Sequence, residues 1–108
     1  MNIYDENNLD FFILDSDKNV VPANMKQWGE FKQKLDNKII KQDHAGGYFV
    51  STVFLGIEHG FINDKPLIFE TMIFPGENDF DERYCTYKEA LEGHERVCKM
   101  VENGELPC

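Results

Sequence analysis

The chain has 108 residues, 42% of them hydrophobic and 13% aromatic, enough for one domain whose core needs no metal or disulfide staple. Its net charge of −9 argues against nonspecific contact with DNA or RNA, because phosphate binding needs cations. Cys85, Cys98 and Cys108 are odd in number, scattered and without a CxxC pair, which excludes a zinc ribbon, a thioredoxin-type motif and a disulfide framework.

Residues 1–9 are polar and expected to be a flexible N-terminus, with residues 10–108 forming a single α+β domain. The acidic start "MNIYDENNLDFFILD" lacks the basic region of a signal peptide, and no apolar run approaches the roughly 20 residues of a membrane helix. A cytoplasmic protein is expected. "FFIL" (Phe11 to Leu14) reads as a strand, "DSDKN" as a turn and "VVPA" as the return strand. "DSDKN" also matches the first half of a calcium loop, but Val20 and Lys26 stand where glycine and glutamate are required.

Asn24 suits the N-cap of a helix over "MKQWGEFKQKLDN", in which Met25, Trp28, Phe31 and Leu35 form an apolar stripe and lysines take the other face. Residues 18–42 carry six lysines against Glu30 and Asp36, a balance of +4, so the remainder sums to −13. A strand from Lys38 to Asp43 and an "AGG" turn follow. Tyr48–Ile57 and "PLIFETMIF" are apolar on both faces, which predicts two central strands hidden on both sides, the second side by another subunit. A homodimer is therefore expected.

"PGENDFDERYC" reads as an acidic loop, with Glu77, Asp79, Asp81 and Glu82 as residues that could oppose a basic groove on a partner. Thr86, with Glu89 three residues later, starts a C-terminal helix that ends at Gly104 and Pro107. Tyr87, Ala90, Leu91, His94, Val97, Cys98 and Val101 form its core-facing stripe. The fold expected is α+β: a mostly antiparallel sheet of four or five strands with two helices, the C-terminal one packed on the sheet.

Few residues point to chemistry. Glu70 lies among apolar neighbours on a central strand and needs a partner, for which His94, His59, Arg83 and Arg96 are candidates. A Glu70–His94 pair would be an acid/base couple, the weak catalytic candidate. Glu58 and His59 at a strand exit could face a cleft. His94 and Cys98, four apart on one helical face, could join Cys85 and His59 around a metal ion, although no cofactor is the leading expectation. P-loop, GxGxxG, GxSxG and HExxH motifs are missing.

The stretches "VSTVFLGIEH", "PLIFETMIF" and "ERYCTYKEALEGHE", within residues 50–95, resemble a group of small proteins encoded by bacteriophages and prophages. Their pattern reads V-S-T-V-F-L-G-x-[DE]-H, then P-x-x-F-E-T-M-x-F, then R-Y-x-T-x-x-E-A-x-x-G-H. Carried onto this chain, it covers Ser51, Thr52, Gly56, His59, Phe69, Glu70, Thr71, Arg83, Tyr84, Thr86, Glu89 and His94. Of these, His59, Glu70, Arg83 and His94 are the ligand-binding candidates. The resemblance implies a phage context: a non-enzymatic accessory protein that binds and modulates a host protein, such as a nucleic-acid-binding or defence protein, in anti-CRISPR fashion through an acidic surface. The alternatives are a nucleotide, small-molecule or metal-dependent activity centred on Glu70, His59 and His94, and a self-associating phage component.

Overall fold

Apolar alternation on the central strands and a helix-period stripe near the C-terminus give a sheet with one helix across it. This is the architecture of a computed structural model, which describes residues 10–57, 61–62, 65–76 and 80–105. Strands β1 (Phe11–Leu14) and β2 (Val20–Ala23) form a hairpin, followed by helices α1 (Met25–Lys32) and α2 (Leu35–Lys38). Then come β3 (Ile39–Ala45), β4 (Tyr48–Phe54), the small pair β5 (Phe61–Ile62) and β6 (Lys65–Pro66), β7 (Phe69–Phe74), β8 (Asp81–Tyr84) and helix α3 (Tyr87–Glu102). The main sheet has the order β3-β4-β7-β8, antiparallel throughout. The α+β fold is thus present, with the C-terminal helix packed on the sheet.

Local chemistry sets the boundaries. In the β1–β2 turn, the Asp15 carboxylate accepts the backbone N–H groups of Asp17 and Asn19, each at 2.9 Å, so "DSDKN" is a turn. Asn24 and Gln27 cap α1 reciprocally, at 2.8 and 2.9 Å. Gly46 and Gly47, both at positive φ, make the two-residue β3–β4 turn. The Thr86 hydroxyl accepts the Glu89 N–H at 3.1 Å and starts α3.

Several sequence expectations need correction. The helix over 25–37 is broken at Gln33 and Lys34, leaving Leu35 65% exposed and Met25 also outside the core. Only Trp28 and Phe31 of its stripe pack inward; Phe31 meets Phe54 edge-on and the Trp28 indole N–H donates to the Leu55 carbonyl at 3.0 Å. Lys32 is not a free surface lysine. Its ammonium donates to the carbonyls of Phe54 and Leu55, capping the end of β4, and burial pushes its pKa down. Residues 81–84, expected in a loop, form the edge strand β8, whose polar sequence "DERY" suits a strand open to water.

Strand register sorts the side chains into rows, because directly opposed residues share a face. Beneath α3 lie the rows Phe54–Phe69–Tyr84, Lys41–Thr52–Thr71–Glu82 and Asp43–Val50–Ile73. The opposite face carries Ile39–Val53–Glu70–Arg83, Gln42–Ser51–Met72–Asp81 and His44–Phe49–Phe74. Within the one chain, the central strands are hidden under α3 but not on the side expected to meet another subunit. Phe49, Val53 and Met72 are half-buried on the other side, and Phe74 is 42% exposed.

The core beneath α3 consists of two apolar clusters. One gathers Leu14, Phe54, Ile68, Phe69, Tyr84 and Ala90, and the other Ala45, Val50, Ile73, Val97, Cys98 and Val101. Between them runs the threonine row.

Candidate functional site

His94 falls midway along the apolar stripe of α3, so the helix that buries Ala90 and Val97 must also bury an imidazole. The ring is 0% exposed, as are Thr52 and Thr71 beneath it. A buried imidazole needs partners for both nitrogens. Nδ1 lies 2.7 Å from the Thr52 hydroxyl and Nε2 lies 2.8 Å from an Asp43 carboxylate oxygen. Thr52 and Thr71 are directly opposed on β4 and β7, with their hydroxyls 2.5 Å apart. The Tyr84 hydroxyl donates to Thr71 at 3.0 Å.

The result is one continuous chain: Tyr84, Thr71, Thr52, His94, Asp43. It crosses every strand of the main sheet, passing once through α3. Its polarity follows from using each proton once. Tyr84 donates to Thr71, Thr71 to Thr52, Thr52 to Nδ1, and Nε2–H to Asp43, which as a carboxylate only accepts. Among the described residues no buried side-chain nitrogen or oxygen lacks a partner. Burial pushes the Tyr84 phenol above its ordinary pKa, which keeps it a donor.

Two ion pairs close the ends of the same row. Lys41 meets Glu95, and Glu82 meets Arg96, so three consecutive residues of α3, His94 to Arg96, bind the middle and both margins of one sheet row. Gly93 makes the approach possible: a Cβ there would lie 2.3 Å from the Tyr84 ring. Beside it, between Glu82 and Tyr84 of β8 and Glu89, Glu92, Gly93 and Arg96 of α3, is a cleft of about 470 Å³.

Thr52, His94 and Asp43 carry the functional groups of a nucleophile, base and orienting acid, but the arrangement cannot act as one. Such a nucleophile must reach substrate, whereas the Thr52 hydroxyl is sealed under α3 and held by Thr71. Both imidazole nitrogens are occupied. Only Asp43, with 45% of its side chain exposed, and the Tyr84 end beside the cleft approach solvent.

The residues singled out from the sequence are divided by the sheet. His94 and Glu70 lie on opposite faces, so the Glu70–His94 couple is not formed; the carboxylate facing His94 is Asp43. Glu70 does find a partner, Arg83, directly opposite on β8, whose Nε donates to it at 3.1 Å. Burial and a hydrogen bond with Asp81 push the Glu70 carboxyl above its ordinary pKa, with Arg83 opposing. Asp81 and Glu82 are ion-paired with Arg83 and Arg96 respectively. His94 and Cys98 do share one helical face, but Cys85 does not join them. Its thiol contacts the Lys65 carbonyl before the start of α3, and the helix rises about 16 Å from its first residue, Tyr87, to Cys98. Glu58, His59, Glu77 and Asp79 lie outside the described residues.

Sequence reasoning missed Asp43, Lys41 and Gly93, treated Thr52 and Thr71 as ordinary strand positions, and placed Tyr84 in a loop. One signal was present: "VSTVF" and "FETMI" each place a threonine between large apolar residues on the inward face. A histidine inside the helix stripe then demands those hydroxyls.

No family model, no curated protein and no solved structure matches this chain.

Proposed function

We propose that the protein is a non-enzymatic accessory protein of a bacteriophage or prophage, which binds and modulates a host protein in the host cytoplasm as an inhibitor of antiviral defence. The observation that carries this reading is the enclosure of His94, Thr52 and Thr71. The groups best suited to catalysis are committed to joining α3 to the sheet, which leaves surfaces as the means of action. Supporting it are the net charge of −9 and the exposed carboxylates Glu89, Glu92 and Glu102 on the outer side of α3, where they alternate with Lys88, Arg96 and Lys99. A strongly acidic protein suits a basic, nucleic-acid-binding partner and competes with phosphate for it. Thr52, Thr71, Tyr84 and His94 also fall among the positions that carry the phage-protein resemblance.

The test is capture of host proteins from a bacterial lysate, identified by mass spectrometry, with the wild type and with a variant carrying Glu89→Gln, Glu92→Gln and Glu102→Gln. One retained protein, released by salt and lost with the variant, is expected. Retention that is equally tight in high salt, or unchanged in the variant, defeats the electrostatic reading.

A further inference from the structure

We propose that Asp43, His94 and Cys98 form a binding site for one divalent transition-metal ion of the zinc type, with a fourth coordination position open to solvent. The proposal is independent of host binding.

The ligand set comes from two elements. α3 supplies His94 and Cys98, one turn apart on the same face, and β3 supplies Asp43 opposite them. A ring nitrogen, the thiol sulfur and a carboxylate oxygen all lie within 4.8 Å of one another. Tetrahedral zinc, with metal–ligand bonds of about 2.0 to 2.3 Å, needs separations of roughly 3.3 to 3.8 Å between ligand atoms. No pair needs to close by more than about 1.5 Å, and Asp43 and Nε2, now 2.8 Å apart, must open slightly. The half-exposed Asp43 side chain is the part free to make that adjustment, and it also provides the way in.

The surroundings suit a cation. Asp43, Glu95 and Glu102 all act on Cys98 with negative charge, against Lys41 alone as a positive group. In the absence of metal, burial first and this field second disfavour the thiolate; a dication entering the site is attracted and compensates the thiolate's charge. A thiolate with an imidazole selects zinc or cobalt over magnesium or calcium, which prefer oxygen alone.

The threonine chain serves as the outer shell. When Nε2 gives up its proton to bind metal, Nδ1 must carry one, and an Nδ1–H donor finds the Thr52 oxygen already 2.7 Å away. Thr52 then donates to Thr71, Thr71 to the Tyr84 oxygen, and the Tyr84 hydroxyl turns outward towards the cleft. The imidazole and the three hydroxyls hold four protons before and after. The only net proton released is that of the Cys98 thiol.

Titration of the metal-free full-length protein with Co²⁺ tests the site. One equivalent should bind with a thiolate-to-cobalt charge-transfer band and the intense visible bands of four-coordinate cobalt, and Zn²⁺ should displace it. Cys98→Ser should abolish the charge-transfer band, while a Cys85→Ser, Cys108→Ser double variant should retain it. Asp43→Asn still accepts the Nε2–H hydrogen bond and so preserves the fold, yet it should weaken binding by about tenfold or more. Absence of the band in the wild type, its survival in Cys98→Ser, its loss in the double variant, or unaltered affinity in Asp43→Asn overturns the proposal.

Discussion

Beneath α3 the sheet row Lys41–Thr52–Thr71–Glu82 is polar from edge to edge, and every group in it is answered by α3 or by a neighbour within the row. On the opposite face the row Ile39–Val53–Glu70–Arg83 is half apolar, and its charges are met within the sheet, Arg83 holding both Glu70 and Asp81. The two rows occupy the same strands, one residue apart on β4, β7 and β8 and two apart on β3, where the register shifts between Ile39 and Lys41. The difference shows what decides the cost of polarity in a sheet. Where a helix excludes water, polar groups must form a closed set, and the set then fixes where the helix sits. Where water reaches the margin, an arginine is enough.

The largest expected effect is therefore on the covered face. His94→Ala removes a fully buried ring and takes the acceptor from Thr52 and the donor from Asp43, combining a cavity with lost hydrogen bonds. A loss of about 3–5 kcal/mol is expected, read as a lower urea midpoint at unchanged denaturant slope. A loss under about 1 kcal/mol would mean that the two apolar clusters hold α3 without the polar row. Gly93→Ala comes next. Alanine favours the helix by about 1 kcal/mol, but its methyl would enter the Tyr84 ring, which is buried and tied to Thr71. Net destabilisation of about 1–3 kcal/mol is expected by thermal or urea unfolding, and a stabilised variant would show that α3 and β8 are looser than described.

The strands and helices with one clear period were legible in the sequence: "YFVSTVF", "FETMIF", and the α3 stripe with its Thr86 cap. Two features were not. The edge strand β8 has a composition indistinguishable from a loop, since only Tyr84 of its four residues is buried. The partner of His94 stands 51 positions away, and no local pattern ties Asp43 to it. Glu70 was correctly seen to need a partner, yet Arg83 and His94 could be told apart only once strand register had assigned each to a face. For the same reason, Lys41 looked like one more lysine in a basic segment until β3 placed it under Glu95.

Tyr84→Phe sharpens the comparison from the end of the covered chain. The substitution keeps the ring that fills the apolar cluster and removes only the donor to Thr71, which still has Thr52. About 0.5–1.5 kcal/mol should be lost, well short of the His94 effect, because an end link strands fewer groups than a central one. Equal losses at the two positions would show that the hydroxyls and the imidazole act as one indivisible unit rather than as a graded series.

The smallest effect belongs to the open face and is visible only as a function of pH. Burial first, and the hydrogen bond with Asp81 second, raise the Glu70 carboxyl above its ordinary value of 4.5, with Arg83 pulling the other way. A carboxyl that holds its proton more tightly when folded makes ionisation oppose folding. That cost is fully present at neutral pH and fades as the pH falls through the raised value towards the ordinary one. Glu70→Gln cannot ionise and lacks this dependence. The stability of the wild type relative to Glu70→Gln should therefore improve on acidification, measured as the difference between their urea midpoints from neutral pH down to about 4.5. Both proteins share all other carboxylates, so general acid destabilisation cancels in the difference. A gap that instead moves in favour of the glutamine variant would mean that Arg83 outweighs burial, making the Glu70–Arg83 pair a net contributor to stability and the two faces of the sheet alike in kind.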